Sequence, residues 1–263
     1  KHNDLDNVGF TKRHLTFFEM MGNFSFGNYF KEEAIPFAWE LLTEGYGLDK
    51  SKLHISVFEK DDESYNIWKD KMGIPEDKLH RLGAVDNFWQ MGDIGPCGPC
   101  TEIYIDLGTD KGCGSKDCKP GCECDRFLEL WNLVFMQYER QPDGSDKPLK
   151  QTGVDTGMGI ERIAAVLQNK DSVYGTDLFA NIIKGIEKFS GKKYKDQDAK
   201  LQAAFHVLAD HIRSSSLLIA DGCSPSNEGR GYVLRKIIRR AALFEQKLSN
   251  KSFFPKLVSA VVL

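Results

Sequence analysis

Two opposite charges flank a run of glycines in the stretch from Gly153 to Arg162. Asp155 offers a carboxylate and Arg162 a guanidinium, while Gly157 and Gly159 lie between them. Glycine has no side chain, so a flat ligand can lie directly against the backbone there. Such a surface could hold a zwitterionic amino acid beside a nucleotide, with one charge for each end of the ligand. A glycine-rich turn beside a surface arginine is the alternative, and this stretch alone leaves it open.

A strand followed by a helix must position these two charges. Val154 and Thr156 are β-branched, which is typical of a strand, and from Met158 onward apolar residues recur at helical spacing. Asp155 then lies at the end of the strand and Arg162 lies one turn into the helix.

A second strand is predicted just before this one, over residues 128–138. Alternation places three of its side chains on one face: Asn132, Val134 and Met136. The dipeptide Asp143-Gly144 then turns the chain back. We therefore expect the two strands to be antiparallel neighbours.

The remaining pattern divides the chain into a mixed part and a helical part. In the first part we predict strands over 11–21, 53–58 and 102–106, helices over 31–44 and 61–72, and a glycine-rich loop over 86–100. In the second part we predict helices over 178–189, 199–219 and 231–248. The boundary is placed near Lys170, which gives an α+β domain over residues 1–168 and a helical region over residues 169–263.

The composition is typical of a globular protein: 263 residues, 41% hydrophobic and 28% charged, with a formal net charge of −3. No apolar run approaches the roughly 18 residues of a membrane span, so no membrane partner is expected. The chain has neither an initiator Met nor a secretory leader and both ends are abrupt, so we expect a piece of a longer protein. Seven cysteines, an odd number, favour a reducing compartment, and we expect the cytoplasm.

Charge is distributed unevenly along the chain. Residues 169–263 carry 16 Lys and Arg against 9 Asp and Glu, whereas the rest carries 19 against 29. A basic end on an acidic body suits a nucleic-acid contact that is confined to one region. The densest basic segment runs from Arg230 to Arg240, with five basic residues and no acid. A predicted apolar stripe of Val233, Leu234, Ile237 and Ile238 would leave four of them exposed: Arg235, Lys236, Arg239 and Arg240. A solvated face and a phosphate-tracking face both remain open.

Four cysteines fall within twelve residues: Cys113, Cys118, Cys122 and Cys124. Four thiolates at this spacing can close a tetrahedral Zn²⁺ site, and a closed site is structural rather than catalytic. The alternative is an oxidation-prone loop without metal.

Two other motifs are interpreted as structural. Cys97 and Cys100 form the CxxC pair of thioredoxin-like proteins, but a strand follows them instead of the helix that redox chemistry requires. A loop constraint or soft metal ligands are therefore favoured. His206 and His211 are five residues apart, so they do not share a helix face, and we interpret them as structural contacts.

Taken together, eight stretches in order resemble the alanyl-tRNA synthetase family of class II aminoacyl-tRNA synthetases. They span nearly the whole chain and include TFFEMMGNFSFG at residues 16–27, DNFWQMGD at 86–93, GPCGPCTE at 95–102, WNLVFMQ at 131–137, VDTGMGIER at 154–162, ADHIR at 209–213 and PSNEGRGYVLR at 225–235. The first, KHNDL, opens the chain.

The resemblance implies an antiparallel sheet of the class II type, flanked by helices and followed by an all-helical tRNA-recognition region. It implies ATP and Mg²⁺ as cofactors, and alanine and the acceptor stem of tRNA(Ala) as partners. By it, the ATP and alanine pocket is lined by Trp89, Asn132, Leu133, Val134 and Gly159.

Individual roles follow from the same resemblance. Val134 would bound the methyl side of alanine, Asp155 would pair with its α-ammonium, and Arg162 would lie against ATP. A further ATP-contacting group is implied on the second strand of motif 2: Arg13, Phe17 and Glu19. Asn227 would read the G·U wobble pair of the acceptor stem. The charge pattern, rather than the resemblance, predicts tRNA contacts for the basic residues beside it: Arg230, Arg235, Lys236 and Arg239.

The chain departs from the family pattern in three ways. The motif 2 arginine that grips the α-phosphate is expected just before Lys1, where it is absent, as is motif 1. Leu15 stands where many members have a second histidine, and Asp155 stands where general motif 3 has a glycine, in agreement with alanine specificity. The cysteine segment occupies a variable insertion, and the family's editing domain is not in these residues.

Two other functions are weighed against an alanine–tRNA ligase. A related amino-acid ligase that has lost tRNA would leave the basic helical region without a role. An RNA-binding module without catalysis would leave the stretch from Asp155 to Arg162 without a role.

Overall fold

The computed structural model describes residues 5–262, and the chain forms two compact units. Residues Met20–Ile163 form the sheet unit, and the described residues of Lys1–Glu19 and Ala164–Leu263 form the helical unit. Residues 5–19 therefore group with the helices rather than with the sheet. Whether catalysis and tRNA contact divide near Lys170 stays a prediction.

The sheet unit contains eight strands in the order β1-β8-β7-β6-β3-β4, with β2 beside β8 and β5 beside β6. Their bounds are β1 Met20–Met21, β2 Phe24–Phe26, β3 Leu53–Phe58, β4 Leu79–Leu82, β5 Phe88–Gln90, β6 Gly95–Asp106, β7 Phe127–Arg140 and β8 Asp146–Gly159. The pairs are antiparallel, except for the parallel pair of β3 and β4. With the helices described below, this confirms the predicted α+β class.

One face of this sheet is covered by helices. The buried side chains of Trp131, Leu133 and Phe135 alternate along β7 and point to this face. Phe30, which precedes helix α1 (Lys31–Glu40), packs edge-on against Phe135 with the ring centroids 5.4 Å apart. The segment of α2 (Asp62–Asn66) and the turn after it adds Trp68 to the same layer. The short α3 (Ala84–Asn87) precedes β5.

The helical unit contains the last part of α4 (Ile160–Leu167) together with α5 (Asp177–Ser190), α6 (Ala199–Ala220), α7 (Gly229–Leu248) and α8 (Val258–Val261). Its core is built from the apolar faces of these helices, including Phe179, Phe205, Leu208, Ile212 and Ala241. The three long helices were all predicted from the sequence with bounds within two residues.

The two histidines of α6 make internal contacts, as interpreted. His206 stacks on Tyr174 with the ring centroids 4.1 Å apart. His211 is fully buried, with Nδ1 2.8 Å from an Asp210 carboxylate oxygen and Nε2 3.0 Å from Arg240. Since the guanidinium donates to Nε2, the proton of a neutral His211 lies on Nδ1.

The predicted strand over 11–21 is wrong except at its end. Only Met20 and Met21 pair with β8, because the backbone groups before them bind elsewhere. Val173 N donates to Lys12 O, and Thr16 N donates to an Asp210 carboxylate oxygen at 2.8 Å. These contacts lie within the helical unit, and they prevent residues 12–16 from continuing the strand pairing with β8.

The predicted loop over 86–100 is also partly wrong, since β5 and the first half of β6 lie within it. Gly98 explains the difference: a Cβ atom there would lie 2.0 Å from Phe135 O of the neighbouring strand. The glycines thus allow close strand packing rather than an irregular loop.

No helix within residues 5–262 is both long enough and apolar enough to cross a membrane.

Candidate functional site

Asp155 lies on β8 and contributes to a small surface built from three neighbouring strands, β8, β7 and β6. In the register of β7 and β8, Val134 is opposite Asp155 and Asn132 is opposite Gly157. On the next strand, β6, Glu102 is opposite Asn132. Directly opposed residues point to the same side of a sheet, so these five residues share one face, called here the Asp155 face. The sequence predicted this shared face for Asn132 and Val134.

The Asp155 side chain is half-buried, and this burial raises the pKa of its carboxyl group. Within residues 5–262, this carboxylate accepts no hydrogen bond and forms no ion pair. A desolvated carboxylate without a partner favours the approach of a cation. The side chain opposite it on β2, Phe24, is 58% exposed, so the surface beside Asp155 is apolar and open.

The surroundings of Gly157 and Gly159 differ. A Cβ atom on Gly157 would lie 2.6 Å from Sδ of Met20, so the flexible Met20 side chain lies against Gly157 and would have to move to admit a larger residue. A Cβ atom on Gly159 would meet only the Arg162 side chain, at 3.9 Å. The space beside Gly159 is therefore open, as the sequence pattern indicated.

Arg162 projects from the first turn of α4 and is held by Glu129 of β7. Its NH1 group donates to the Glu129 carboxylate at 2.8 Å and to the Glu129 carbonyl at 3.1 Å. Both side chains remain about one-third exposed or less, at 26% for Arg162 and 35% for Glu129. The guanidinium is thus oriented by its own unit, and Glu129 is a residue that the sequence reasoning missed.

Glu102 is a second residue that was missed. It is 8% exposed, and burial together with the nearby Glu129 carboxylate raises its pKa to about 8. The Tyr104 hydroxyl donates to it. Near neutral pH, Glu102 is therefore mostly protonated, and the Asp155 face carries a neutral acid beside Asn132 rather than another anion. A glutamate at the start of a predicted strand that continues with Ile103, Tyr104 and Ile105 was the available signal.

We expect Glu102→Gln to flatten the pH dependence of stability. The folded chain keeps the proton up to about pH 8, whereas an unfolded glutamate releases it near pH 4.5. The stability supplied by protonated Glu102 is therefore full below about pH 4.5 and is lost as the pH rises through about 8. Unfolding free energies from urea titrations should give Glu102→Gln a growing advantage, on the order of a few kcal/mol, between pH 5 and 8. Parallel pH profiles of the variant and the parent chain would contradict the assignment.

Leu133 does not point to the Asp155 face, and Trp89 lies on the short strand beside β6. Leu133 is fully buried and opposite Thr156, so its side chain points to the helix-covered face. Trp89 lies on β5 opposite Gly98 and is half-buried. Only the backbone of Leu133 is available to the Asp155 face.

Arg13, Phe17 and Glu19 belong to the helical unit. Glu19 accepts a hydrogen bond from Arg213 of α6 at 2.6 Å, and the Arg213 guanidinium lies 4.7 Å from the centre of the Phe17 ring. Arg213, which lies in the ADHIR stretch, was not singled out as a site residue from the sequence.

The basic face of α7 is smaller than predicted. Arg230, Arg235, Lys236 and Arg239 are exposed, but Arg240 is half-buried and donates to His211 and, at 2.9 Å, to Val8 O. The predicted apolar stripe is corrected as well, because Val233 is 51% exposed. Leu234, Ile237 and Ala241 form the buried side of the helix instead.

Asn227 lies in the exposed loop before α7. Its side-chain oxygen accepts a hydrogen bond from Arg235. Gly231 permits this loop to fold tightly onto the helix, because a Cβ atom there would lie 2.4 Å from the Ser226 hydroxyl. The structure thus brings Asn227 and the exposed basic residues of α7 together.

The four cysteines between β6 and β7 form a compact cluster, with all four sulfur atoms within 4.8 Å of one another. Cys113 and Cys122 are 3.7 Å apart and Cys118 and Cys124 are 3.5 Å apart. Around a tetrahedral zinc with Zn–S bonds of about 2.3 Å, sulfur atoms are about 3.8 Å apart. The donor set and its spacing therefore fit Zn²⁺. The ion pair of Asp106 with Arg126 closes the base of the loop.

Cys97 and Cys100 differ from this cluster in being buried within β6. Burial raises the pKa of both thiols, so neither is a thiolate near neutral pH.

Comparison with known proteins decides the family. The sequence model of the protein family described as "tRNA synthetases class II (A)" matches residues 1–263 of the chain. The chain belongs to this family. The resemblance predicted from the eight sequence stretches is therefore confirmed, and the α+β sheet with flanking helices agrees with a class II synthetase fold.

Curated class II synthetases are similar over most of the chain. The chain is 59% identical to the alanine–tRNA ligase of Desulfosudis oleivorans over 248 residues. This alignment covers 94% of the chain and 28% of that protein. It is 56% identical over 245 residues to the alanine–tRNA ligase of Oleidesulfovibrio alaskensis, covering 93% of the chain and 28% of that protein. It is 52% identical over 260 residues to that of Carboxydothermus hydrogenoformans, covering 99% of the chain and 30% of that protein. The chain thus spans less than one-third of the length of these class II relatives.

Proposed function

We propose that this chain supplies the alanine-activating and tRNA-docking part of an alanine–tRNA ligase, which joins alanine to the 3′ end of tRNA(Ala) using ATP. The observation that supports this most is the unpartnered, half-buried Asp155 opposite Val134. The relatives, which share the name alanine–tRNA ligase, support the choice of amino acid. Since tRNA charging serves translation, we propose the cytoplasm as the compartment.

Recognition of alanine requires an anionic hydrogen-bond acceptor for the α-ammonium group and a small apolar contact for the methyl group. Asp155 would accept hydrogen bonds from the α-ammonium, and Val134, 6% exposed, would contact the methyl group. Trp89 on the neighbouring β5 would close the pocket. A pocket of this kind cannot strongly reject glycine or serine, since one methylene or hydroxyl changes binding by only about 1–3 kcal/mol.

Activation needs no nucleophile from the protein. A carboxylate oxygen of alanine attacks the α-phosphorus of ATP, the bond to the bridging oxygen breaks, and pyrophosphate leaves with that electron pair. The chain contributes by positioning the reactants and by stabilising developing negative charge. We assign Arg162 to the ATP side, with Glu129 fixing its guanidinium, and Asn132 and Gly159 to contacts with the nucleotide. Mg²⁺ bound with ATP would neutralise the phosphate oxygens.

Alanine-dependent exchange of pyrophosphate into ATP tests the proposed function. We expect exchange with alanine, weaker exchange with serine and glycine, and none with bulky amino acids. The alanine–tRNA ligase of Desulfosudis oleivorans, measured in parallel, serves as the reference for the rate. Binding of tRNA(Ala) without any amino-acid-dependent exchange would instead support an RNA-binding module.

For tRNA, we propose that the exposed basic residues of α7 contact phosphates and that Asn227 distinguishes the acceptor stem. Arg239→Ala should weaken binding of tRNA(Ala) and of a tRNA lacking the G·U pair by the same factor, and it should reduce the salt slope by about one. Asn227→Ala should reduce the ratio of the two affinities instead. Filter binding at several salt concentrations measures both, with exposed Lys200→Ala as the control. Equal losses for both tRNAs in Asn227→Ala would contradict this division.

For the metal, we propose that Cys113, Cys118, Cys122 and Cys124 hold a structural Zn²⁺ that orders the loop between β6 and β7. Reduced protein should contain about one zinc per chain by elemental analysis, and Cys122→Ser should lose it. Cys223→Ser, which changes a buried cysteine of the helical unit, is the control and should keep the zinc. Less than about half an equivalent in freshly reduced parent protein would contradict the site.

A further inference from the structure

Phe24 of β2 lies directly opposite Asp155 in the register of β2 and β8. Opposed residues point to the same side of a sheet, so the Phe24 side chain lies on the side of the Asp155 face. Thr156 N donates to Asn23 O at 3.3 Å, so the preceding pair is a hydrogen-bonded one. Since the two kinds of pair alternate, Phe24 and Asp155 form a non-hydrogen-bonded pair, in which side chains are closest and Cα atoms are about 4.5 Å apart.

The Phe24 ring extends along its own strand beside uncovered backbone. Its Cζ atom lies 3.3 Å from the position that a Cβ atom on Gly22 would take. The register between β1 and β8 continues into that of β2, and it places Gly22 at the level of Gly157. The ring therefore runs from the level of Asp155 towards that of Gly157, and Phe24 is 58% exposed.

The half-buried Asp155 carboxylate and the exposed Phe24 ring both attract a cation. The carboxylate has no hydrogen-bond or ion-pair partner within residues 5–262. The face of an aromatic ring is negative, and it attracts an ammonium group within about 6 Å of the ring centre. Since the Cβ atoms of opposed residues are about 4.5–5.5 Å apart, one ammonium group bound to the carboxylate can also contact the ring.

We propose that Phe24 forms, together with Asp155, the subsite for the α-ammonium group of the amino-acid substrate. This inference rests on the proposed function, in which Asp155 binds that group. Val134, Asp155 and Phe24 are opposed in turn and so form one row across β7, β8 and β2. The methyl contact thus lies on one side of the carboxylate and the ring lies on the other. The ring also excludes water from the β2 side of the charge pair, which strengthens the attraction.

Steady-state exchange with alanine and ATP varied separately tests the role of the ring. Phe24→Leu keeps an apolar side chain but removes the ring, so it should raise the KM for alanine on the order of 3- to 30-fold. The KM for ATP should stay within about twofold. Phe24→Tyr keeps the ring and should stay within about twofold of the parent chain for both substrates. An unchanged KM for alanine in folded Phe24→Leu would overturn the inference.

Phe26 provides a matched control on the same strand. It lies opposite Gly153, points to the same side as Phe24 and is 80% exposed. Phe26→Leu should leave the KM for alanine within about twofold, because no carboxylate lies opposite it. Equal increases in Phe24→Leu and Phe26→Leu would show a general effect of β2 and would overturn the subsite. If Phe24→Leu does not fold, Phe24→Met makes the same comparison.

Failure of the proposed function gives a different result. If the parent chain shows no alanine-dependent exchange, equilibrium dialysis with labelled alanine still compares the same variants. Weaker alanine binding by Phe24→Leu than by Phe26→Leu would then support the subsite, and equal binding would overturn it. A parent chain that neither exchanges nor binds alanine would overturn the proposed function and this inference together.

Discussion

Asp155→Asn should lower alanine-dependent pyrophosphate exchange by about 10²- to 10³-fold. The variant keeps the size of the side chain but removes the charge that would face the α-ammonium. Loss of one partner of a desolvated charge pair costs about 2–5 kcal/mol, or roughly 30- to 5,000-fold in kcat/KM, and the expected loss lies within these limits. Because the Asp155 carboxylate has no hydrogen-bond or ion-pair partner within residues 5–262, the fold should not depend on its charge.

Two measurements separate this effect from a structural one. ATP binding and the urea midpoint should stay close to those of the parent chain. Asp143→Asn, a change of the same kind in the exposed turn between β7 and β8, should keep full exchange activity. Near-normal exchange in Asp155→Asn would remove Asp155 from alanine recognition.

Asp61→Ala should destabilise the chain by about 3–5 kcal/mol. Asp61 is 6% exposed and accepts from buried Lys31 at 2.6 Å. It also caps α2 by accepting from the Ser64 backbone and hydroxyl at 3.2 and 2.7 Å. Removing it leaves a buried ammonium with only the more exposed Glu63 carboxylate, at 3.0 Å, and uncaps a helix. Breaking a buried pair from one side costs about this much.

The neighbouring residue supplies the control for this prediction. Asp62 pairs with Arg81 at 2.7 Å, but its own side chain is 80% exposed. Asp62→Ala should therefore cost no more than about 1 kcal/mol in the same urea titration. Replacing both buried partners, in Lys31→Met/Asp61→Ala, should recover part of the loss, since no buried charge then remains unpaired. Equal destabilisation by Asp61→Ala and Asp62→Ala would show that the buried pair of Lys31 and Asp61 contributes no more to the free energy of unfolding than an exposed pair does.

Local patterns were sufficient to predict most of the elements in both units. The strand β3 was predicted at its observed bounds, and the alternation over 128–138 predicted which side chains of β7 share a face. The long helices followed from apolar spacing because each buries one face. These signals are local, since they depend on residues within a few positions of each other.

The predictions that were wrong concern segments whose contacts are with residues distant in sequence. Residues 11–19 have strand-like composition, but Asp210 and Val173 take up their backbone groups. Arg240 lies in a basic run, yet its side chain is half-buried because it donates hydrogen bonds to His211 and to the Val8 carbonyl. Nothing within a few residues of either segment indicates these contacts.

The candidate site shows the same division. Asp155, Arg162 and the two glycines were predictable, because the strand, the bare backbone and the charges are adjacent in sequence. Glu102, Glu129 and Arg213 were missed, because each matters through a residue on another element: Asn132 for the first, Arg162 for the second and Glu19 for the third. Their roles depend on register and helix packing, which a single sequence does not determine.

The structure of the protein bound to a non-hydrolysable analogue of alanyl-adenylate tests the central claim most directly. We predict the α-ammonium of the analogue within about 3 Å of an Asp155 carboxylate oxygen, the methyl group against Val134, and the adenylate beside Gly159. An analogue bound elsewhere, with Asp155 turned into solvent, would contradict the account.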